Sequence, residues 1–286
     1  MLLLLLTTLI WGTSFPLLKH TIEQLNPSVL IAVRFTIAAL LFSPWLRQLT
    51  PKLLRDGGLL GVLYFGECAL TLIGMQTVPA NRAAFVISLN VVLVPLLTLL
   101  LGQRLPTQAF IAAGLALSGV GVMAWGGGGF SMGDIWIFGS AIGCAIYILL
   151  LGTVTQRHPT RPLAAVQLLT MASLGIVWAM PQLIQQSHAI VEHSSTLLYL
   201  ALVVTATPIW AQAAAQRWVS AHDAALIYTL EPVFAAVFSV WILGESFSDR
   251  SWIGAGMILT AMILSQFGTD KAVRAFFAKI GGRDRT

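Results

Sequence analysis

Residues 75–84 read MQTVPANRAA and residues 216–225 read QRWVSAHDAA, and the two stretches agree at four positions at a spacing of 141 residues. Gly102 and Gly114 match Gly244 and Gly256 at a spacing of 142. A repeat over this distance indicates that the chain is a duplication that divides near its middle. We therefore predict a first repeat in residues 1–130, a second in residues 131–270, and a basic tail in residues 271–286.

The sequence around these stretches is a series of apolar runs separated by short polar or Gly/Pro segments. Hydrophobic residues make up 57% of the chain and charged residues 9%, against about 25% charged residues in soluble domains. About 20 apolar residues cross a bilayer as a helix, and the period-2 alternation of barrel strands is absent. The sequence thus predicts an all-α integral membrane protein with ten transmembrane helices. They cover residues 2–20, 28–46, 57–77, 81–101, 106–126, 133–155, 162–182, 196–217, 222–243 and 251–268.

The distribution of Lys and Arg predicts how these helices are oriented. One set of alternate connections, together with the tail, holds twelve of these residues, and the other set holds only Lys19, Arg82 and Arg250. Because cytoplasmic segments carry the excess of positive charge, both termini are expected in the cytoplasm of a bacterial inner membrane. Each repeat has five crossings, so the second is predicted to be inverted relative to the first. The N-terminal run lacks a cleavage site and is expected to be a true first helix.

Several function classes receive no support from the residues. The basic residues are scattered between apolar runs, which argues against a nucleic-acid partner. The two cysteines, Cys68 and Cys144, have no CxxC or metal-ligand spacing, and no HExxH or GxSxG motif is present. We therefore expect no metal, no cofactor and no enzymatic activity, and a membrane scaffold or receptor stays open as an alternative to a transporter.

Four motifs give the chain a resemblance to a known family. They are WGTSF at 11–15, RFTIAAL at 34–40, LGE at 243–245 and WIGAG at 252–256. In this order they resemble the EamA-type carriers of the drug/metabolite transporter superfamily. Leu101-Gly102-Gln103 departs from the family pattern, because the first repeat carries glutamine where glutamate is usual. Glu245 is therefore interpreted as a cap near the membrane interface.

The resemblance implies a function for the whole chain. It implies export of small organic metabolites, amino acids above all, by helices that rock around a central cavity lined by helices 1–4 and 6–9. Within the superfamily, the aromatic amino-acid exporters of the YddG type are the nearest specific comparison. The implied partners are a small-molecule substrate and the lipid bilayer.

Three ionisable residues lie well inside apolar runs: Arg34, Glu67 and Glu231. A charge at the bilayer centre costs at least about 2.5–3.5 kcal/mol, so each is expected to face a partner or a watery cavity. At a spacing of 141, Glu231 is equivalent to Asn90, and two polar residues at matched mid-helix positions should approach a substrate from opposite sides. Glu231 is therefore the strongest candidate.

The roles of these three residues leave alternatives open. Arg34 could reach the external surface with its long side chain, or pair with a substrate carboxylate or a buried glutamate. Glu67 could lock helices 2 and 3 together or contact substrate. Glu231 could carry a proton during transport or bind an ammonium group.

Polar and aromatic residues that recur at helical spacing complete the predicted cavity. The predicted substrate-binding residues are Trp11, Ser14, Arg34, Tyr64, Glu67, Asn90, Tyr147, Gln167, Trp210, Gln212, Tyr228 and Glu231. Prolines within helices are candidate hinges, namely Pro16, Pro95, Pro208 and Pro232. Small residues in helices 5 and 10 favour close packing, so these helices are expected to be peripheral supports or the contact of a homodimer.

Overall fold

A computed structural model describes residues 2–100, 105–126, 129–215 and 227–266. Within these ranges every regular element is helical. A 3₁₀ turn at Ser43–Gln48 follows α2, and a π-helical turn at Leu202–Ala206 joins α10 to α11. The helices are α1 (Leu2–Ile22), α2 (Pro27–Phe42), α3 (Pro51–Met75), α4 (Ala80–Ile87), α5 (Asn90–Leu100), α6 (Thr107–Gly126), α7 (Met132–Val154), α8 (Thr160–Gln185), α9 (Ser187–Glu192), α10 (Ser194–Ala201), α11 (Thr207–Ala215), α12 (Glu231–Leu243) and α13 (Asp249–Gln266).

Eight helical segments are long and apolar enough to cross a membrane, and each overlaps one of the first eight predicted spans. They are Leu2–Ile22, Pro27–Gln48, Pro51–Met75, Ala80–Leu99, Thr107–Trp125, Met132–Val154, Thr160–Gln185 and Ser194–Ala215. The predicted class, an all-α membrane protein, is confirmed. α12 is apolar but has only 13 residues, and α13 is not one of the eight segments. The count of ten crossings therefore stays a prediction.

Three sequence predictions lie outside the described residues. They concern the repeat segment 216–225, the glutamine at position 103 and the basic tail 271–286. The first part of the predicted helix 222–243 lies there too.

Two predicted helices are broken at matched positions. The predicted fourth helix divides into α4 and α5 at a turn formed by Ser88 and Leu89. The chain makes a second turn at Thr229 and Leu230, immediately before α12. These two turns are 141 residues apart, the spacing of the sequence repeat.

The break before α12 corrects the predicted position of one proline. Pro232 is in the first turn of α12 and not in the interior of a longer helix. This placement costs no hydrogen bond, since the N–H groups of a first turn have no partner within the helix. Pro16 and Pro95 do lie inside α1 and α5, and Pro208 follows the π-helical turn as the second residue of α11.

The end of α12 determines where Glu245 lies. Gly244 has a φ of +65°, a left-handed conformation that glycine adopts without steric cost. The N–H group of Gly244 bonds to the carbonyl of Val240 at 3.1 Å, as in the αL cap of a helix, and the N–H group of Glu245 bonds to the carbonyl of Ser239 at 3.3 Å. The chain thereby turns back, and the Glu245 side chain reaches α4.

The predicted helices 5 and 10 correspond to α6 and α13, and they pack closely against each other within one chain. A Cβ atom at Gly254 would lie 2.6 Å from the carbonyl oxygen of Gly119. Such a distance requires two small residues that face each other. Gly114 and Gly121 have no atom within 4 Å of an added Cβ. Packing of a second copy on that open face stays a prediction.

The contact between α6 and α13 gives a stability prediction. Gly254→Ala is expected to lower the free energy of unfolding by about 1–3 kcal/mol, because the new methyl group would overlap backbone of α6 that cannot rotate away. Gly256→Ala on the same helix is the control, since an added Cβ there meets no atom within 4 Å. Thermal unfolding of the purified protein in detergent measures both. Equal melting temperatures for the two variants would contradict the packing argument.

Candidate functional site

A cavity lies among the helices beside the two helix breaks. It encloses about 870 Å³ of space not filled by atoms, a volume that includes open solvent at its mouth. Its walls combine aromatic rings, hydroxyl and amide groups, one arginine and two glutamates. Ten of the residues predicted from the sequence line it, namely Trp11, Ser14, Arg34, Tyr64, Glu67, Asn90, Tyr147, Gln212, Tyr228 and Glu231.

The structure places the other two predicted residues, Gln167 and Trp210, away from the cavity wall. Gln167 is buried behind Tyr147, whose hydroxyl donates a hydrogen bond to Oε1 of Gln167 at 3.1 Å. Trp210 is half-buried and packs against the hydrophobic core. Both were inferred from polar neighbours on the same helix, a pattern that does not fix which way a side chain points. Gln167 thus orients Tyr147 instead of facing the cavity.

Several lining residues were absent from the predicted site. Cys68 and Thr71 lie on α3 beside the predicted residues Tyr64 and Glu67, and Cys144 lies on α7 beside Tyr147. Ile87 and Ser88 line the cavity because α4 ends there. The local signal is Ser88 and Asn90, two polar residues of types that favour turns, inside an apolar run. The remaining additions are the apolar residues Phe15, Leu18, Leu72, Val91 and Ile148.

Two pairs of aromatic rings line the cavity. The rings of Tyr64 and Tyr147 are stacked, with centroids 4.9 Å apart and an angle of 17° between planes. Trp11 and Tyr228 form a tilted pair with centroids 5.8 Å apart. Paired rings of this kind present large faces at little entropic cost and suit an apolar or aromatic ligand group.

Arg34 is held inside the protein and does not reach the surface. Its side chain lines the cavity, only 6% of the residue is exposed, and its Nε donates a hydrogen bond to Oγ1 of Thr205. Among the described residues, no carboxylate lies within ion-pair distance of Arg34. In this structure Arg34 neither reaches the surface nor forms an ion pair with a described glutamate, and its pairing with a substrate carboxylate stays a prediction.

Two carboxylates face the same cavity. Oε2 of Glu67 is buried and has no hydrogen-bond partner in the described part of the chain. Glu67 makes no ion pair with a described residue, so no ion pair of Glu67 links the predicted helices 2 and 3 among the described residues. Glu231 begins α12, where a negative charge is favoured by the helix dipole.

Asn90 and Glu231 hold corresponding places in the two broken helices. Asn90 is the first residue of α5 and Glu231 is the first residue of α12, and both line the cavity. Nδ2 of Asn90 donates a hydrogen bond to Sγ of Cys144 at 3.3 Å. The sequence repeat therefore corresponds to a local structural likeness on the cavity wall.

Polar contacts join the helices at the end of the bundle where α4 and α7 begin and α12 ends. Arg82, which is buried, donates from Nε to Oδ1 of Asp134 at 2.7 Å and from Nη2 to Oδ2 of the same residue. The two oxygens of Glu245 accept hydrogen bonds from the N–H groups of Ala80 and Asn81, at 2.8 and 3.0 Å. Glu245 is therefore a helix cap, as its position suggested, and the helix it caps is α4.

Comparison with known proteins decides what kind of protein this fold and cavity belong to. The model of the EamA-like transporter family matches residues 1–125 and again residues 131–267. The chain belongs to the EamA-like transporter family. The two matches cover almost the whole chain, and Arg82–Asp134 and the Glu245 cap each join a residue of one match to a residue of the other. The protein is a multi-pass membrane transporter.

The relatives of this EamA-like transporter carry transporter names. An uncharacterized transporter of Archaeoglobus fulgidus is 28% identical, with 91% of this chain and 83% of the relative covered. The uncharacterized inner membrane transporter YedA of Escherichia coli is 27% identical, with 91% and 88% covered. The uncharacterized transporter YdfC of Bacillus subtilis is 24% identical, with 96% and 93% covered. Their names give no substrate.

A solved crystal structure shares the fold of this transporter. It superposes with a TM-score of 0.63 at 21% sequence identity, and the alignment covers 92% of this chain and 94% of the other. At this identity the likeness concerns the fold alone.

Among the described residues, no group of three or more His, Cys, Asp or Glu side chains is arranged to hold a metal ion.

Proposed function

We propose that this EamA-like transporter exports small organic metabolites from the cytoplasm, chiefly amino acids with apolar or aromatic side chains. The observation that supports the proposal is the composition of the cavity wall. One guanidinium group, two carboxylates and two pairs of aromatic rings face one space. A zwitterion with an apolar side chain matches these groups, because its carboxylate, ammonium and side chain each meet a complementary surface.

The proposed mechanism is alternating access by two inverted repeats of five helices. It is supported by the matched breaks at 88–89 and 229–230, which place the starts of α5 and α12 on the cavity wall. Helices that break at a binding site are typical of transporters built from repeats. The excess of Lys and Arg in one set of connections supports an inner-membrane location with both termini in the cytoplasm.

An exchange assay in liposomes tests the substrate class. Purified protein would be reconstituted into liposomes loaded with unlabelled leucine or phenylalanine, and entry of the radiolabelled amino acid would be measured over time. We expect entry well above that of protein-free liposomes, and weaker exchange of glutamate, whose side-chain carboxylate would be placed against the negative faces of the aromatic rings. The absence of exchange for every amino acid and nucleobase of a broad panel would refute the proposed function.

A further inference from the structure

Thr205 lies behind Arg34, in the π-helical turn between α10 and α11. Thr205 is completely buried, and its Oγ1 accepts a hydrogen bond from Nε of Arg34. Thr205 does not line the cavity. It is 171 residues from Arg34 in sequence, so the hydrogen bond joins this turn to α2. Thr205 can therefore act on a ligand only through Arg34.

The π-helical turn determines the direction of the Thr205 hydroxyl. The hydroxyl donates its proton to the carbonyl of Leu200, five residues earlier, at 2.7 Å. Since a threonine hydroxyl has one proton and two lone pairs, the oxygen can then only accept from Arg34. A bond to a residue five positions back follows the widened turn of a π-helix, which is often found at functional sites.

The bond to Thr205 engages one nitrogen of Arg34, which lines the cavity and whose guanidinium carbon lies 5.3 Å from the centre of the Phe35 ring. Nε is the only Arg34 nitrogen that donates to a residue in the described ranges. The two terminal nitrogens carry four further N–H groups in a rigid plane, a geometry that fits the two oxygens of a carboxylate. A buried cation without an ion pair is also costly, so an anionic ligand group would stabilise it.

From this geometry we infer that Thr205 is a positioning residue, which orients Arg34 so that the guanidinium binds the carboxylate of the transported molecule. The inference rests on the proposed function and adds a requirement to it. A substrate must carry a carboxylate, and an otherwise identical amine without one should bind poorly. Arg34 contacts the ligand, whereas Thr205 determines only the direction in which Arg34 points.

The test compares two substitutions of Thr205 with two ligands. Thr205→Val keeps the shape of the side chain but removes the acceptor, whereas Thr205→Ser keeps the hydroxyl. For an amino acid that the wild type exchanges, we expect Thr205→Val to raise KM about tenfold with little change in the maximal rate, the size of effect of one hydrogen bond to a charged group. Thr205→Ser should restore the wild-type KM. The amine made by decarboxylating the same amino acid should bind the wild type and Thr205→Val equally weakly.

A binding assay separates this inference from the proposed function. Ligand-induced thermal shifts of the detergent-purified wild type and both variants would be measured with phenylalanine and with phenethylamine. The wild type could fail to exchange amino acids and still show a thermal shift that requires the ligand's carboxylate and that Thr205→Val weakens. This result would refute export and leave the role of Thr205 intact. Three results would overturn the inference even if transport is observed. The wild type could bind both ligands with equal affinity, it could bind neither, or the Val and Ser substitutions could have equal effects.

Discussion

Arg82→Ala is expected to lower the free energy of unfolding by about 3–5 kcal/mol, because it leaves the carboxylate of Asp134 buried without its cation. Both residues are almost completely buried, and two hydrogen bonds join them. An ion pair exposed at the surface would contribute about 1 kcal/mol or less to the free energy of unfolding. The Arg82 variant should therefore unfold at a clearly lower temperature than the wild type and yield less folded protein from membranes.

The matched control for Arg82 is Arg250→Ala, since Arg250 is exposed near the start of α13. Thermal unfolding in one detergent measures both variants. Because Arg250 is exposed, its removal should shift the melting temperature little. A melting temperature for Arg82→Ala that matches the control would mean that the ion pair does not contribute to stability.

Glu231→Gln is expected to reduce amino-acid exchange about 10- to 100-fold. The substitution keeps the size of the side chain and removes the charge that the proposed substrate's ammonium would meet in the cavity. A hydrogen bond to a charged group contributes about 1.5–3 kcal/mol, which corresponds to this range of affinity. Initial rates of exchange in liposomes, measured over a range of substrate concentrations, should show a raised KM.

The control for Glu231 is Glu192→Gln, the same change at an exposed glutamate of α9 whose side chain is 63% accessible. This variant should exchange amino acids at the wild-type rate. If Glu231→Gln also retained the wild-type KM and maximal rate, Glu231 would not be a substrate-binding residue. Loss of activity in both variants would point to a general effect of reconstitution.

Periodicity predicted much of the cavity wall because it reports which residues share a helix face. Tyr64, Glu67 and Thr71 recur at helical spacing on α3, and all three line the cavity. A polar face on a membrane helix must turn away from lipid, so the direction of this face follows from solvation alone. The same reasoning located Trp11 and Ser14 on α1.

Contacts between distant parts of the chain could not be predicted in this way. The Arg82–Asp134 pair spans 52 residues and the Glu245 cap of α4 spans 165 and 164, and no local pattern connects their partners. The break at Ser88 was also missed, because apolar runs continue on both sides of it. Trp210 was predicted to line the cavity and instead packs against the hydrophobic core, since polar neighbours do not decide which way a ring points.

The two cysteines of the chain, Cys68 and Cys144, both line the cavity. In the described residues they are free thiols. The wild-type protein therefore contains its own pair of reporters, and no other thiol competes with them for a label. A maleimide that cannot cross membranes, added to one face of a sealed vesicle, would reach these thiols only when the cavity opens toward that face. The access of the cavity to each side can be followed in time without any engineered residue.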